Sequence, residues 1–371
     1  MQHNRIDLIR PDAPELAAVG PHKVGVKTLQ LVNPGQVDVL ASGALKAAAW
    51  VDRKLVVEVW YPAVRATVPG GRYVTLCRDG RTEVVLYGQA ARNAEALAGD
   101  FPLVILSHGY PGNRMLMSHL GENLASKGYV VASIDHLDST YDDPAYRGGQ
   151  AFGSTLVNRP LDTTFVIGAL GATRVAIIGY SMGGYGALIS GGAQVSEVAM
   201  ESEPLVARHR GAVADPRLKA IVPIGPWGRK RGVWDAAGMA GLSVPAVILA
   251  GGLDEVSGYA TGMRKIFAEA VRVERHLLTF DGAGHNAAAP YPAPVESWAA
   301  VPGLDFVPFA HYADPVWDTL RMNNVAQHFV TAFLAVHLKG QVGQARYLTA
   351  DFAGFVEGTA RGLRFETAFA G

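Results

Sequence analysis

The stretch Arg174-Val-Ala-Ile-Ile-Gly-Tyr-Ser-Met-Gly-Gly-Tyr-Gly186 decides the fold. Arg174–Ile178 is a continuous, β-branched-rich run of the kind that forms a strand buried on both faces. A helix is expected to begin near Gly183, which leaves Gly179-Tyr180-Ser181-Met182-Gly183 as a sharp strand-to-helix turn with serine at its apex. Such a turn strains the serine backbone, and only residues without a β-carbon tolerate the close approach two positions before and after it. It lifts the hydroxyl above the sheet and aims the next helix N-terminus at a reacting carbon where negative charge develops. A glycine-rich turn with an incidental serine is the plainer alternative; a strand before and a helix after favour a nucleophile.

From residue 101 onward the same rhythm repeats. Leu103–Leu106, Tyr129–Ile134, Leu218–Ile224, Pro245–Ala250 and His276–Phe280 are further apolar runs bounded by Gly, Pro, Asp or Ser. Leu116, Leu120 and Leu124 recur every fourth residue before Gly128, and Val325, Phe329, Phe333 and Val336 form another stripe closed by Gly340. Strands alternating with helices at this spacing imply right-handed crossovers and a doubly wound, mostly parallel sheet. The first hundred residues differ. Val24–Val32 and Leu55–Tyr61 read as strands and Tyr73–Leu86 as one or two more, without helices between them, which predicts antiparallel hairpins at one sheet edge. No repeat or low-complexity linker divides the chain. Residues 1–371 are therefore expected to form a single α/β domain, with a core of about 20–340 and insertions near 200–215 and 286–317 as lid or pocket elements.

Composition narrows the function. Lys and Arg total 33 against 33 Asp and Glu, a balance that argues against a polyanion-binding surface, so nucleic acid is not an expected partner. Hydrophobic residues at 49% and charged residues at 18% exclude a disordered chain. No apolar run reaches the roughly 18 residues needed to span a bilayer. One cysteine, Cys77, excludes an internal disulfide and argues against a cysteine-based metal site. Met1–Glu15 is polar and carries Pro11 and Pro14 instead of the apolar stretch of a secretory leader, so a cytoplasmic protein is expected.

A serine at its own pKa is a weak nucleophile and needs a base and an orienting carboxylate. His285, in Phe280-Asp-Gly-Ala-Gly-His285-Asn, directly follows the last apolar run, among small residues that leave an imidazole room to reach the serine. His311, in His-Tyr-Ala-Asp-Pro, is the rival; His328 and His337 sit in the last amphipathic stripe, His276 begins a strand and His209 stands in a charged stretch. Asp254 lies just beyond Pro245–Ala250, at the strand end where open α/β sheets carry their ligands, with Glu255 as the adjacent alternative. It would fix the His285 tautomer and stabilise the imidazolium. The order Ser, Asp, His along the chain is the one a Gly-x-Ser-x-Gly turn predicts. For an oxyanion, the expected donors are the N–H of Met182 and that of Tyr110, in the loop Ser107-His-Gly-Tyr110-Pro-Gly-Asn113. His108 is read as structural, Asn113 and Arg114 as the start of a helix, and Asp135-His136 as a hydrogen-bonded pair.

These residues resemble the α/β-hydrolase superfamily over roughly residues 20–340. Within it the chain is similar to the dienelactone-hydrolase-like and platelet-activating-factor-acetylhydrolase-like serine esterases, through Leu55-Val-Val-Glu-Val-Trp-Tyr-Pro62, Ser107-His108-Gly109 and Asp135-His136. It departs from dienelactone hydrolases in carrying Ser181 where they have cysteine. It departs from the acetylhydrolases because Ile224-Gly-Pro-Trp-Gly228 holds no carboxylate, which leaves the acid to Asp254. The resemblance implies a serine hydrolase acting on a small-molecule ester of small to medium apolar character through an acyl-enzyme, with no metal or organic cofactor. An amidase using the same residues is the alternative, and a non-catalytic member of the fold a further one. Tyr180, Trp227 and Trp234 are expected to bind substrate; Trp298, Phe306, Phe309, Tyr312 and Trp317 are further aromatics that either line the pocket or pin the loop. Met200–Asp215, with Glu201, Glu203, Arg208, His209 and Arg210, is read as a partly exposed flap.

Overall fold

The apolar runs pair edge to edge in a computed structural model of the chain, which describes residues 3–45, 49–143, 146, 151–196 and 214–371. In chain order the strands are β1 (Lys23–Val37), β2 (Trp50–Ala63), β3 (Gly71–Leu76), β4 (Glu83–Gly88), β5 (Ala91–Arg92) and β6 (Leu103–Ser107). They continue as β7 (Val130–Asp135), β8 (Val175–Tyr180), β9 (Leu218–Ile224), β10 (Ala246–Gly251), β11 (Arg275–Phe280) and β12 (Leu363–Ala368). Ten of them form one sheet in the order β12-β11-β10-β9-β8-β6-β7-β2-β1-β5. The run from β7 through β6, β8, β9 and β10 to β11 is parallel, as the alternation of strands and helices predicts. β2 is antiparallel to both β7 and β1, which makes the expected antiparallel edge.

Two expectations need correction. β3 and β4 do not join that edge; they pair with each other as a separate two-stranded sheet. Nor does the core close at about residue 340, because β12 adds antiparallel to β11 and buries Leu363 and Phe365. Pairing with β11 supplies the backbone partners that an isolated six-residue strand lacks, a gain its own sequence does not display.

The sheet buries a different set of side chains on each face because strand side chains alternate. Val104, Leu106, Ala176, Ile178, Val247 and Leu249 belong to one apolar cluster, with Leu120 and Leu124 of helix α1 (Ser118–Ser126). Leu103, Ile105, Val175, Ile177, Ala246 and Ile248 belong to the other, with Val166 and Ile167 of α2 (Phe152–Ala169) and Leu188 and Ile189 of α3 (Met182–Ser190). The last helix, α4 (Thr319–Lys339), lays Phe329 and Phe333 on the first cluster. It starts with Asp318 accepting from Arg321 N–H and stops at Gly340, whose φ of 67° is the left-handed conformation of a helix end.

Of the two expected insertions, residues 197–213 lie outside the described residues, and with them Glu201, Glu203, Arg208, His209 and Arg210. The other is pinned from within. Tyr291 stacks on Tyr312 at 5.2 Å and Trp317 meets Phe280 edge-on at 5.4 Å, all buried. Among the described residues no helix is long and apolar enough to cross a membrane, and no group of three His, Cys, Asp or Glu is gathered to hold a metal.

Among the described residues five imidazoles are buried in this framework: His108, His119, His136, His276 and His328. Burial disfavours their charged form, pushing His119, His136 and His276 down to about 4, His328 to about 3, and His108 well below the ordinary value. The unfolded chain binds protons on these rings near pH 6.5 and the folded chain only near 4 or below, so unfolding takes up protons in between and stability falls as pH falls through that window. Chemical denaturation at pH 7 and pH 5 is expected to show this loss. His119→Gln, which can still donate to the Ala289 carbonyl that His119 Nε2 contacts at 3.0 Å, is expected to flatten the slope by up to one proton, roughly 1.4 kcal/mol per pH unit. An unchanged slope would assign the acid sensitivity to other groups.

Candidate active site

Ser181 sits immediately beyond β8 with φ 52° and ψ −111°, a conformation L-residues rarely adopt. Its backbone is held on three sides. Ser181 N–H donates to Ile224 O at 2.8 Å, and Ser181 O accepts from Tyr185 N–H at 3.0 Å and Trp227 N–H at 3.1 Å. The two flanking glycines are required by space. A β-carbon on Gly179 would lie 2.1 Å from Gly183 O, and one on Gly183 would lie 1.8 Å from Ser107 O. The tightness of the turn itself at Gly179, and its packing against the end of β6 at Gly183, therefore exclude any side chain there.

The structure brings Ser181, His285 and Asp254 together. His285 Nε2 lies 3.0 Å from Ser181 Oγ, and Nδ1 lies 2.7 Å from Asp254 Oδ2. With the Nδ1 proton donated to the carboxylate, Nε2 accepts from the serine hydroxyl. Asp254 is completely buried, and its other oxygen accepts from Ser257 N–H at 2.9 Å. The loops that carry the two residues interlock: Leu253 N–H donates to Ala283 O at 2.8 Å, and Gly251 passes so close to Gly284 O that a β-carbon would lie 2.0 Å away. Asp314 holds the same loop by accepting from Gly284 N–H at 2.6 Å. Glu255 is exposed and takes no part. His311 lies in the wall nearby but bonds Tyr141 Oη at 2.8 Å through Nε2; burial, with Arg78 and His285 close by, pushes it down to about 3.

Tyr110 and Met182 both line the cleft in front of Ser181, and among the described residues neither backbone N–H is spent on another protein group. The peptide that carries the Tyr110 N–H is anchored through its carbonyl. Gly109 O accepts from His108 Nδ1 at 2.8 Å and from Arg159 Nη2 at 3.3 Å. Arg159, fully buried in α2, also donates to His108 O and, at 2.7 Å, to Ser139 Oγ. Burial pushes this guanidinium down to about 9, so it still carries its charge at neutral pH. His108 has the structural place expected of it, and its Nε2 accepts from His136 N–H at 3.2 Å. Asp135 and His136, expected as a pair, part company because adjacent strand side chains point to opposite faces. Asp135 pairs with Arg114, while His136 Nδ1 turns to Asp162 at 3.3 Å. Asn113 donates to Thr75 Oγ1 at 2.7 Å and accepts from Met115 N–H at 3.0 Å, in the turn that leads into α1.

His136 completes a second arrangement of the same three residue types, because its Nε2 lies 2.9 Å from Ser107 Oγ. Ser107 is 0% exposed inside a strand, whereas Ser181 retains 7% and opens onto a cleft. A Ser-His-Asp chain of hydrogen bonds is therefore not sufficient by itself; access and the strained turn set Ser181 apart.

That cleft has a volume of about 400 Å³. Tyr180 and Trp227 line it. Tyr180 Oη donates to Asn286 Oδ1 at 3.0 Å, and its ring lies 5.2 Å from that of His285. Trp234 does not line the cleft. It is 0% exposed, packed beneath Gly228 and 5.3 Å from Tyr185, because the chain turns inward after Gly232 and commits the indole to the core. Of the loop aromatics, Trp298 is 65% exposed and rests on Phe309 at 4.7 Å, Phe306 faces Arg78, and Tyr312 and Trp317 are core. Arg78, Phe152, Val256 and Asn286 also line the cleft and were not anticipated. Phe152 continues an edge-to-face row between Tyr110 at 5.6 Å and Trp227 at 5.1 Å. The pair Asp79-Gly80, with Gly80 at φ 66°, is a turn signal that marks where the β3–β4 hairpin reverses, but nothing local shows that the hairpin tip meets the cleft.

Comparison with known proteins adds to this geometry. A family model described as PET hydrolase-like matches residues 88–204. Cutinase 1 of Thermobifida cellulosilytica is 30% identical over 187 residues, 50% of this chain and 60% of that protein. A bis(hydroxyethyl) terephthalate hydrolase of Streptomyces coelicolor is 29% identical over 129 residues, 35% of this chain and 34% of that protein. The chain spans between about half and 60% of the length of the cutinases first compared. Among solved structures, a ferulic acid esterase from Streptomyces cinnamoneus superposes with a TM-score of 0.63 at 22% identity, covering 91% of this chain and 94% of that one, a likeness of fold.

The turn makes a physical prediction. Gly183→Ala pushes a β-carbon into the backbone oxygens of Ser107 and His108, which cannot swing aside as a flexible side chain does. The expected cost exceeds about 3 kcal/mol, read by urea denaturation or as loss of soluble protein. Gly343→Ala, with nothing within 4 Å of the new carbon, is the control expected to change stability by no more than roughly 0.5 kcal/mol.

Proposed function

We propose that this chain, a member of the α/β-hydrolase superfamily, is a serine-dependent carboxylic ester hydrolase acting on small to medium esters with an apolar or aromatic part. The single observation that carries the reading is the hydrogen-bonded series Ser181–His285–Asp254 opening onto a cleft beside two uncommitted backbone N–H groups. The names of the cutinases and of the terephthalate-ester hydrolase point to the same bond type.

The reaction is acyl transfer in two steps. Ser181 Oγ attacks the ester carbonyl as His285 Nε2 takes its proton, and Asp254 holds the ring and stabilises the imidazolium. The carbonyl oxygen becomes an oxyanion facing the N–H groups of Tyr110 and Met182, each contributing on the order of 3 kcal/mol. His285 returns the proton to the departing alcohol. A water activated by the same imidazole then releases the acid and restores the serine. The edge-to-face row of Tyr110, Phe152 and Trp227 offers an apolar wall to the substrate body.

Ser181→Ala is expected to lower turnover of a chromogenic short-chain ester by on the order of 10⁴-fold or more while the circular dichroism spectrum and melting temperature stay close to wild type. A fluorophosphonate probe is expected to label the wild-type protein at Ser181, with the modified peptide identified by mass spectrometry. Undiminished turnover in the alanine variant, or labelling elsewhere, removes the assignment. Asp254→Asn is expected to keep the fold and lose roughly 10³–10⁴ in kcat; a loss below tenfold would move the orienting role to another group. Matched anilides are expected to react far more slowly than phenyl esters, and a preference for the anilide would favour an amidase.

A further inference from the structure

Arg78 stands at the tip of the β3–β4 hairpin, where the chain leaves β3, and lines the same cleft as Ser181 and His285. Every other lining side chain among the described residues is uncharged or an imidazole: Tyr110, Phe152, Tyr180, Trp227, Asn286 and His311 supply the aromatic and polar surface. Among the described residues no carboxylate lines it. The nearest acid in sequence, Asp79, is committed to its own turn, accepting from Arg81 N–H and Thr82 N–H at 2.9 Å each and from Thr82 Oγ1. Among the described residues Arg78 forms no ion pair. Its guanidinium is steadied by aromatic faces, 5.5 Å from the centre of the Tyr146 ring and 5.2 Å from that of Phe306, and donates once, to Tyr146 Oη at 2.7 Å. A guanidinium has five N–H donors in a planar fork, so most of the donor set is left for something that enters the cleft.

We infer that Arg78 recognises a carboxylate on the substrate, so that the cleft selects esters that carry a second, free carboxylate, the monoesters of aromatic dicarboxylic acids above all. The fork matches a carboxylate edge-on through two parallel hydrogen bonds, and a partly enclosed, apolar-walled site strengthens that pairing relative to open water. The field of Arg78 already reaches the cleft wall, since it helps hold His311 uncharged. The aromatic row beside it takes the ring of such a substrate, while the ester carbonyl lies over Ser181. Arg78 does not touch the reacting atoms; it is a specificity-determining residue and acts mainly through KM. The inference rests on the esterase reading, and its test separates the two.

The substrate pair is monomethyl terephthalate and its neutral analogue methyl 4-carbamoylbenzoate, hydrolysed by wild type, Arg78→Gln and Arg78→Lys and followed by chromatography. The ratio of kcat/KM for the carboxylate substrate over the neutral one is expected to fall 10- to 100-fold in Arg78→Gln, mostly through KM, to recover in part in Arg78→Lys, and to shrink with added salt. A ratio left unchanged by Arg78→Gln, whether both rates hold or both fall together, overturns the inference and leaves Arg78 a cation that braces Tyr146 and Phe306; the esterase reading then still stands. Binding supplies a readout that needs no turnover. Calorimetry of terephthalate with Ser181→Ala is expected to show binding that Arg78→Gln in the same background weakens at least tenfold. Equal binding by the two proteins overturns the inference, even in a protein that cleaves neither ester.

Discussion

The contact on which the site depends is the one between the turn at Ser181 and the end of β6. β6 and β8 lie side by side in parallel, in a register that sets Ser107 opposite Gly179. Ser107 O then occupies the space where a Gly183 side chain would be. This one close approach has two consequences. It seats the turn, with Ser181 at its positive φ, on the end of β6, and it sets the loop that begins at Ser107 against the first turn of α3, where Tyr110 and Met182 line a common cleft. A longer side chain at either glycine would separate Ser181 from the groups that surround it. The strain at Ser181 persists because Ile224, Tyr185 and Trp227 each hold a backbone group of that residue.

Beneath the loop lies a polar network that a small apolar core does not need. Arg53 pairs with Asp162 through two hydrogen bonds of 3.0 Å, Asp162 faces His136, His136 faces Ser107, and Arg159 spans the carbonyls of His108 and Gly109. Burial raises the carboxyl of Asp162, yet Arg53 and His136 hold it below the ordinary range. Desolvating so many groups is costly, and buried ion pairs of this kind seldom add net stability. What the network supplies is position. Two donors on the Gly109 carbonyl fix the orientation of the peptide that carries the Tyr110 N–H and polarise it toward donating. The burial of Ser107 in the same network explains why this second Ser-His-Asp series is a scaffold.

The cleft joins parts of the chain that are distant in sequence, among them the β3–β4 hairpin through Arg78, α2 through Phe152, and the segment after His285 through Asn286, Ala310 and His311. Asn286 ties that segment together by donating to Ala310 O and Ala313 O at 2.7 and 2.9 Å while accepting from Tyr180. The loop after the histidine is thus a fixed wall, held by the buried stack of Tyr291 on Tyr312. The positive charge of Arg78, set among aromatic rings, gives the cleft a polarity that neither its volume nor its apolar lining conveys.

Much of this was legible in the sequence, because the signals are local. The six parallel strands were marked by apolar runs, and β9 was read to its residue as Leu218–Ile224. Ser181, Asp254 and His285 were marked by where they stand, each just past the end of such a run, since parallel strands place all their C-terminal loops on one edge. What remained hidden depends on neighbours that local pattern does not name. Asp254 and Glu255 are equivalent as residue types, and only the direction of one side chain toward His285 separates them. Trp227 and Trp234 are equally apolar, and the chain direction after Gly232 decides which faces the cleft. The strand near the C-terminus needed the exposed edge of β11, and the place of Arg78 needed a hairpin folded over a distant site. Periodicity and turn chemistry thus determined the elements and their order, because those follow from backbone sterics and burial within a few residues. The buried partners of Arg53, Arg159, Asp162 and Asp254 and the shape of the cleft were decided by tertiary packing alone, because they arise from contacts between segments tens to hundreds of residues apart.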